Sequence, residues 1–228
     1  MKAQSLTEAI SIFNPRVPLI GNQLTEFYVD RPGNPLETMR IYLLGLRDQP
    51  VKLLFSGHRG SGKSTELNRL AEALKRHFFI VPVNLTQFAN TLTYQDILLG
   101  IALNLFKRAE EKEAVAQSPI GAIENVWAEA VDFFKKQLFG LMFPERSLAP
   151  DEVKVKLGLW IGEVEARYSL TASARQQMAG HIDTHLDEFH RQINDIAGLV
   201  RTQLKRPVLF IVEGIDKADL QRARDIFW

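Results

Sequence analysis

The chain contains no cysteine, which excludes disulfides and thiolate metal centres and makes a cytoplasmic setting the expectation. It has no uncharged apolar run near the roughly 18 residues that a bilayer span requires. Its opening residues, Met1-Lys2-Ala3-Gln4-Ser5, lead into Glu8, Asn14 and Pro15 and not into the apolar core of a signal peptide. Charge of one sign is scarce as well. With 28 basic and 27 acidic residues the net charge is +1, so no global field draws the chain to nucleic acid or to an anionic membrane. Sequence repeats and an H-E-x-x-H metal motif are absent. His181 and His185 stand four apart in a helical stretch, but His190 falls off their face, so both are expected to be solvated or packing histidines.

What is present is an ordinary globular composition over 228 residues, enough for one large domain or one domain carrying an insertion. Residues 1–35, rich in Pro, Asn and Gly, read as an extended lead-in. A helix is expected over about 36–47. Val51-Lys52-Leu53-Leu54-Phe55 is a short apolar run with the pattern of a buried parallel strand. A helix from Ser64 to about His77 follows, with Leu67, Leu70, Ala71 and Leu74 on one face. Phe78–Leu85 reads as a second strand, and Pro82 suits it to a sheet edge.

Helices are then expected from Tyr94 to about Lys112 and over about Ile123–Leu141. At its end Phe133, Phe134, Leu138, Phe139, Leu141, Met142 and Phe143, around Lys135-Lys136, suggest a buried helix more than a patch that docks a partner or a membrane surface. Val153–Ile161 alternates strictly, and Val164, Ala166 and Tyr168 alternate in the opposite phase. That pattern predicts two short strands with a turn or bulge near Gly162. Ser173–Leu204 reads as one long helix, Pro207–Val212 as another buried strand, and a last helix starts near Asp219. The alternation implies an α/β fold around a parallel sheet flanked by helices. The lead-in then covers 1–35 and the domain 36–228, with a mostly helical insertion and a small β-hairpin over about 92–205.

Gly57-His58-Arg59-Gly60-Ser61-Gly62-Lys63-Ser64 fits G-x-x-x-x-G-K-[ST] at every fixed position. Glycines let successive N–H groups turn inward around a phosphate, and the helix that follows adds its positive end. Lys63 is expected to reach the β- and γ-phosphates, Ser64 to join the Mg²⁺ shell, and Thr65 to contact the α-phosphate. Arg59 is placed to meet phosphate, a neighbouring subunit or water. A second strand, ending at Glu213, supplies an acid for the metal side, and Asp216 is a candidate to orient or deprotonate an attacking water.

With these motifs placed, the chain resembles P-loop ATPases of the AAA+ and STAND type. Tyr28-Val29-Asp30-Arg31 resembles the segment that lies against adenine in that family, which implies contacts from Val29 and Arg31. Gly57–Thr65 resembles the family's phosphate loop. Phe210–Lys217 resembles its second motif, with Glu213 for the usual Asp and Gly214 where a further acid often stands. About 150 positions separate Lys63 from Glu213, more than one strand–helix–strand crossover requires, hence the insertion.

The resemblance also implies later strands, a sensor residue and a helical lid, so a continuation past Trp228 is expected. Self-association through an open sheet edge, or contact with the missing region or an effector protein, is expected with it. The implied function is ATP and Mg²⁺ binding by a nucleotide-dependent switch, with hydrolysis in the full-length protein. The alternatives are a nucleotide-gated scaffold that does not hydrolyse and a small-molecule kinase. No nucleic-acid signal and no membrane span enter this reading.

Overall fold

Two apolar runs rich in β-branched residues find each other across the sequence. Phe79–Asn84 (β1) and Val208–Glu213 (β2) pair in parallel, in register from Phe79 opposite Val208 to Asn84 opposite Glu213. The coordinates are a computed structural model; it describes residues 17–29, 33, 35–58, 60–87, 92–111, 121–143 and 157–215. The chain divides into two compact units, Met1–Phe78 and Phe79–Trp228.

The first unit is helical. Asn22–Phe27 (α1) forms a short helix where an extended lead-in was expected. Pro35–Gly45 (α2) opens on a proline, tolerated at the first helical position because its missing N–H would have had no intrahelical partner. It packs on Lys63–Leu74 (α3), and Leu36, Leu43, Leu70 and Leu74 are buried. Val51–Phe55, expected as a buried strand, is not one. Residues 51–58 have no regular structure, and Leu53 and Leu54 are 40% and 71% exposed. Apolar content makes a strand possible, but a strand exists only by pairing. Among the described residues the sheet holds β1 and β2 alone.

The second unit carries the main core. Phe79, Val81 and Val83 of β1 point inward on the period of two. Tyr94–Glu111 (α4) contributes Leu99, Leu103, Leu105 and Phe106. Its start is fixed by a capping box: the Thr93 N–H donates to Asp96 Oδ2 at 2.6 Å and the Asp96 N–H reaches Thr93 Oγ1 at 3.4 Å. Gly121–Phe133 (α5) continues through a π-helical stretch, Phe134–Phe139, into Gly140–Met142. The wider winding brings Phe134, Leu138, Phe139 and Met142 all inside, so the aromatic run is core and not a surface patch.

Leu157–Leu170 (α6) is one helix, and the strand pair expected about Gly162 does not form there; residues 151–156 lie outside the described residues. Ile161, Val164 and Tyr168 are fully or almost fully buried. Their spacing of three and four sets them on one helical face, so burial overrides the alternation. Ala172–Thr184 (α7) and Leu186–Leu204 (α8) replace the single long helix expected, with the break at His185, whose φ is −121°. Phe189, Ile193, Ile196 and Val200 on α8 face the core, and α8 touches α4, α5 and both strands. Asp96, 1% exposed, ties three helices together. It accepts the Tyr168 hydroxyl at 2.5 Å and Arg175 Nη2 at 3.2 Å, joining α4 to α6 and α7. The architecture is α/β, with helices flanking a two-stranded parallel sheet. No helix among the described residues is long and apolar enough to cross a membrane.

Candidate functional site

The glycine-rich loop leads directly into α3, as its motif requires. The Ser61 N–H donates to the His58 carbonyl at 3.1 Å, closing a turn in which Gly60 takes φ +80°. Gly62, the residue before α3, also has φ +80°. A side chain at either position would be strained in this left-handed region. A Cβ on Gly57 would stand 3.0 Å from Ser61 Oγ, so the loop is also tight across its base.

The Lys63 ammonium folds back over this turn, donating to the Gly57 carbonyl at 2.7 Å and the His58 carbonyl at 3.1 Å. A compact positive charge therefore sits at the loop and beside the N-terminus of α3, where helical N–H groups and the dipole favour an anion. Polyphosphate oxygens would replace two neutral acceptors with charged ones, a stronger class of hydrogen bond. Ser64 and Thr65 follow Lys63 in the first turn of α3, and Thr65 Oγ1 accepts the Leu19 N–H at 3.2 Å.

Tyr28 and Val29, expected beside adenine, part company. The Tyr28 hydroxyl donates to Glu66 Oε1 at 2.8 Å and accepts from Arg69 Nη1 at 2.7 Å. Burial, followed by the bond to Glu66, pushes the phenol pKa up. Val29 is 78% exposed. Arg31, Arg59 and Asp216 lie outside the described residues.

In the second unit, Glu213 ends β2, partly buried, at the carboxyl end of the sheet, the end where ligands gather in parallel α/β folds. Its ladder partner is Asn84, the last residue of β1. Asn84 Oδ1 accepts the Thr86 N–H at 3.0 Å and the Thr86 hydroxyl at 2.6 Å. These bonds fix the amide oxygen on Thr86 and turn the amide nitrogen, a double donor, away from it. The sequence reading missed Asn84. Its signal was available: a polar residue closing an apolar strand, as Glu213 does.

Gly214 has φ +86°, and a Cβ there would lie 2.9 Å from Thr86 Cγ2 and 3.0 Å from the Thr86 nitrogen. The position where a second acid was sought therefore has no room for one. The histidine pair behaves as expected of packing residues. The ring centroids of His181 and His185 lie 4.3 Å apart with the rings tilted by 33°, and among the described residues no group of three His, Asp or Glu could hold a metal. Comparison with protein-family models, curated proteins and solved structures gives no match.

Proposed function

We propose that the Gly57–Ser64 loop binds the phosphates of a nucleoside triphosphate, ATP with Mg²⁺, and that the protein is a nucleotide-dependent switch of the AAA+ or STAND type. One observation carries the reading: Lys63 Nζ is held by the Gly57 and His58 carbonyls over a turn whose glycines adopt φ +80°, at the start of α3. The cradle, the charge and the helix end meet in one short segment, and the donors suit a phosphate. Mg²⁺ fits the same chemistry, since it takes one or two protein oxygens and completes its shell with phosphate and water. Ser64 supplies that oxygen in this reading. In this reading Glu213 supplies the metal-side acid and Asp216 orients or deprotonates the attacking water, and Asn84 is the second polar group at the strand ends.

Binding of MgATP to the chain, lost in Lys63→Ala, tests the reading by titration calorimetry. Equal affinity in the two proteins contradicts it. A second reading, a nucleotide-gated scaffold without turnover, draws support from Gly214. The close approach of Thr86 leaves Glu213 without an adjacent carboxylate. Phosphate release by the wild type, lowered in Glu213→Gln, favours the ATPase; binding with no release favours the scaffold.

A further inference from the structure

Helices α2 and α3 pack through their leucines but do not close against each other everywhere. Each gives three residues spaced i, i+1 and i+4, which a helix sets on one side. These are Leu36, Glu37 and Arg40 from α2, and Arg69, Leu70 and Ala73 from α3. Between them lies a cavity of about 260 Å³, within the Met1–Phe78 unit. Leu36 and Leu70, each 4% exposed, supply its apolar surface. Ala73 ends at Cβ where a longer side chain would take up the space.

The charged residues of the lining are held in direction. Arg40 donates from Nε to Glu37 Oε2 at 2.9 Å and from Nη2 to Glu37 Oε1 at 2.7 Å, while its Nη1 has no acceptor among the described residues. The Arg69 guanidinium lies 4.2 Å over the Tyr28 ring and donates from Nη1 to the Tyr28 hydroxyl at 2.7 Å. Its charge reaches Glu37: the Arg40 hydrogen bonds hold that carboxyl below its usual range, and Arg69 adds to the effect. Glu66, which accepts the Tyr28 hydroxyl, is buried and does not line the cavity. The lining therefore sets two guanidinium groups against one carboxylate. An Arg–Glu pair alone would be a solvated helix face; here a second arginine and an apolar cavity accompany it.

An apolar cavity of about 150 Å³ admits benzene, so this one has room for a single ring with a short arm. The planar arginine fork matches a carboxylate. An excess of one positive charge suits a monoanion, whereas a phosphate dianion would also meet Glu37. We infer that the cavity binds a small organic monocarboxylate with an aromatic ring, the ring on Leu36 and Leu70 and the carboxylate on Arg40. Arg69 follows Lys63 by six residues on α3, about 9 Å of helix. The site is separate from the phosphate loop and does not rest on that reading.

Phenylacetate is the probe, titrated into the isotope-labelled whole chain and followed by backbone amide and arginine side-chain NMR shifts. A ligand of about ten non-hydrogen atoms at ordinary efficiency gives a dissociation constant of about 1 mM. Saturable shifts are expected at Arg40, Arg69 and Ala73, with phenethylamine and phenyl phosphate each at least about fivefold weaker. Ala73→Leu fills the cavity and Arg40→Gln removes the fork. Each is expected to lower affinity at least about fivefold, with ligand-free spectra that match the wild type away from the substitution. No saturable shifts at these residues, wild-type affinity in either variant, or phenethylamine binding as tightly overturns the proposal. Competition by saturating MgATP would place the cavity in the nucleotide site and overturn it as a separate one.

Discussion

Gly60, Gly62 and Gly214 all hold φ near or above +80°, and each does so where a motif sets the backbone. The left-handed backbone at Gly60 and Gly62 was legible in the sequence because it belongs to a contiguous glycine motif whose turn is set locally. Gly214 was not. Its constraint comes from Thr86, more than a hundred residues earlier. Gly214→Asp would place a carboxylate beside Glu213, into a strained φ and against the Thr86 backbone. We expect it to destabilise the protein by about 1–3 kcal/mol, seen as a lower midpoint in denaturant unfolding; an unchanged midpoint contradicts the close approach.

Tyr168 makes the same point about distance. Its hydroxyl meets Asp96 across 72 positions of sequence, and burial, then that bond, raise the phenol well above its ordinary range. Tyr168→Phe leaves an almost fully buried carboxylate one donor short. A loss of about 1.5–3 kcal/mol is expected, the worth of a hydrogen bond to a charged group. The same unfolding measurement checks it, and a loss below about 0.5 kcal/mol would show the bond to be dispensable.

Among the elements, long stretches with a helical period were read correctly in type, and so were the apolar runs at Phe79–Asn84 and Val208–Glu213, whereas Val51–Phe55 was not. Tyr94–Glu111 was legible because its period persists for eighteen residues. Leu157–Leu170 was misread because alternation and helical spacing both fit a run of that length, and Gly162 was taken as a turn. In the structure a Cβ at Gly162 would meet nothing within 4 Å, so that glycine sits on an open helix face and ends nothing. Val51–Phe55 failed for another reason, since no local signal says whether a partner strand will come.

The break between α7 and α8 at His185 carries a consequence for pH. Burial, and then the neighbouring His185, hold the His181 imidazole below its ordinary pKa of 6.5, and its buried Nε2 has no hydrogen-bond partner among the described residues. With the folded pKa lowered, the unfolded chain takes up the proton first. His181 therefore costs no stability above about pH 6.5 and costs progressively more as pH falls from there through the folded pKa. Unfolding midpoints at pH 7.5 and 5.5 should separate further in the wild type than in His181→Leu. Equal separation would remove His181 from the acid response.

For the whole molecule, the α/β alternation was legible, and so was the strand character of two distant runs, Phe79–Asn84 and Val208–Glu213; that they pair with each other in parallel is what the structure adds. The helical character of the stretch between them followed from its periodicity. The number of strands did not follow, because strand count depends on pairing across the chain and not on any one segment. The chemistry proposed for the molecule divides in the same way. Phosphate binding rests on a contiguous motif and its local geometry, and turnover rests on Glu213, Asn84 and Asp216. Glu213→Gln is therefore expected to keep nucleotide affinity within about threefold while lowering phosphate release about 100-fold, the lower range for loss of one group that stabilises charge in the reaction. Equal rates in a steady-state assay would remove Glu213 from the reaction.

The central claim, that Gly57–Ser64 holds a nucleoside triphosphate, is tested most directly by calorimetric titration of MgATP into the wild type and Lys63→Ala. The account predicts one saturable site in the wild type. It also predicts affinity reduced at least about tenfold in the variant, as loss of a charge-assisted contact worth about 1.5–3 kcal/mol requires. No saturable site in the wild type, or equal affinity in the two, would contradict it.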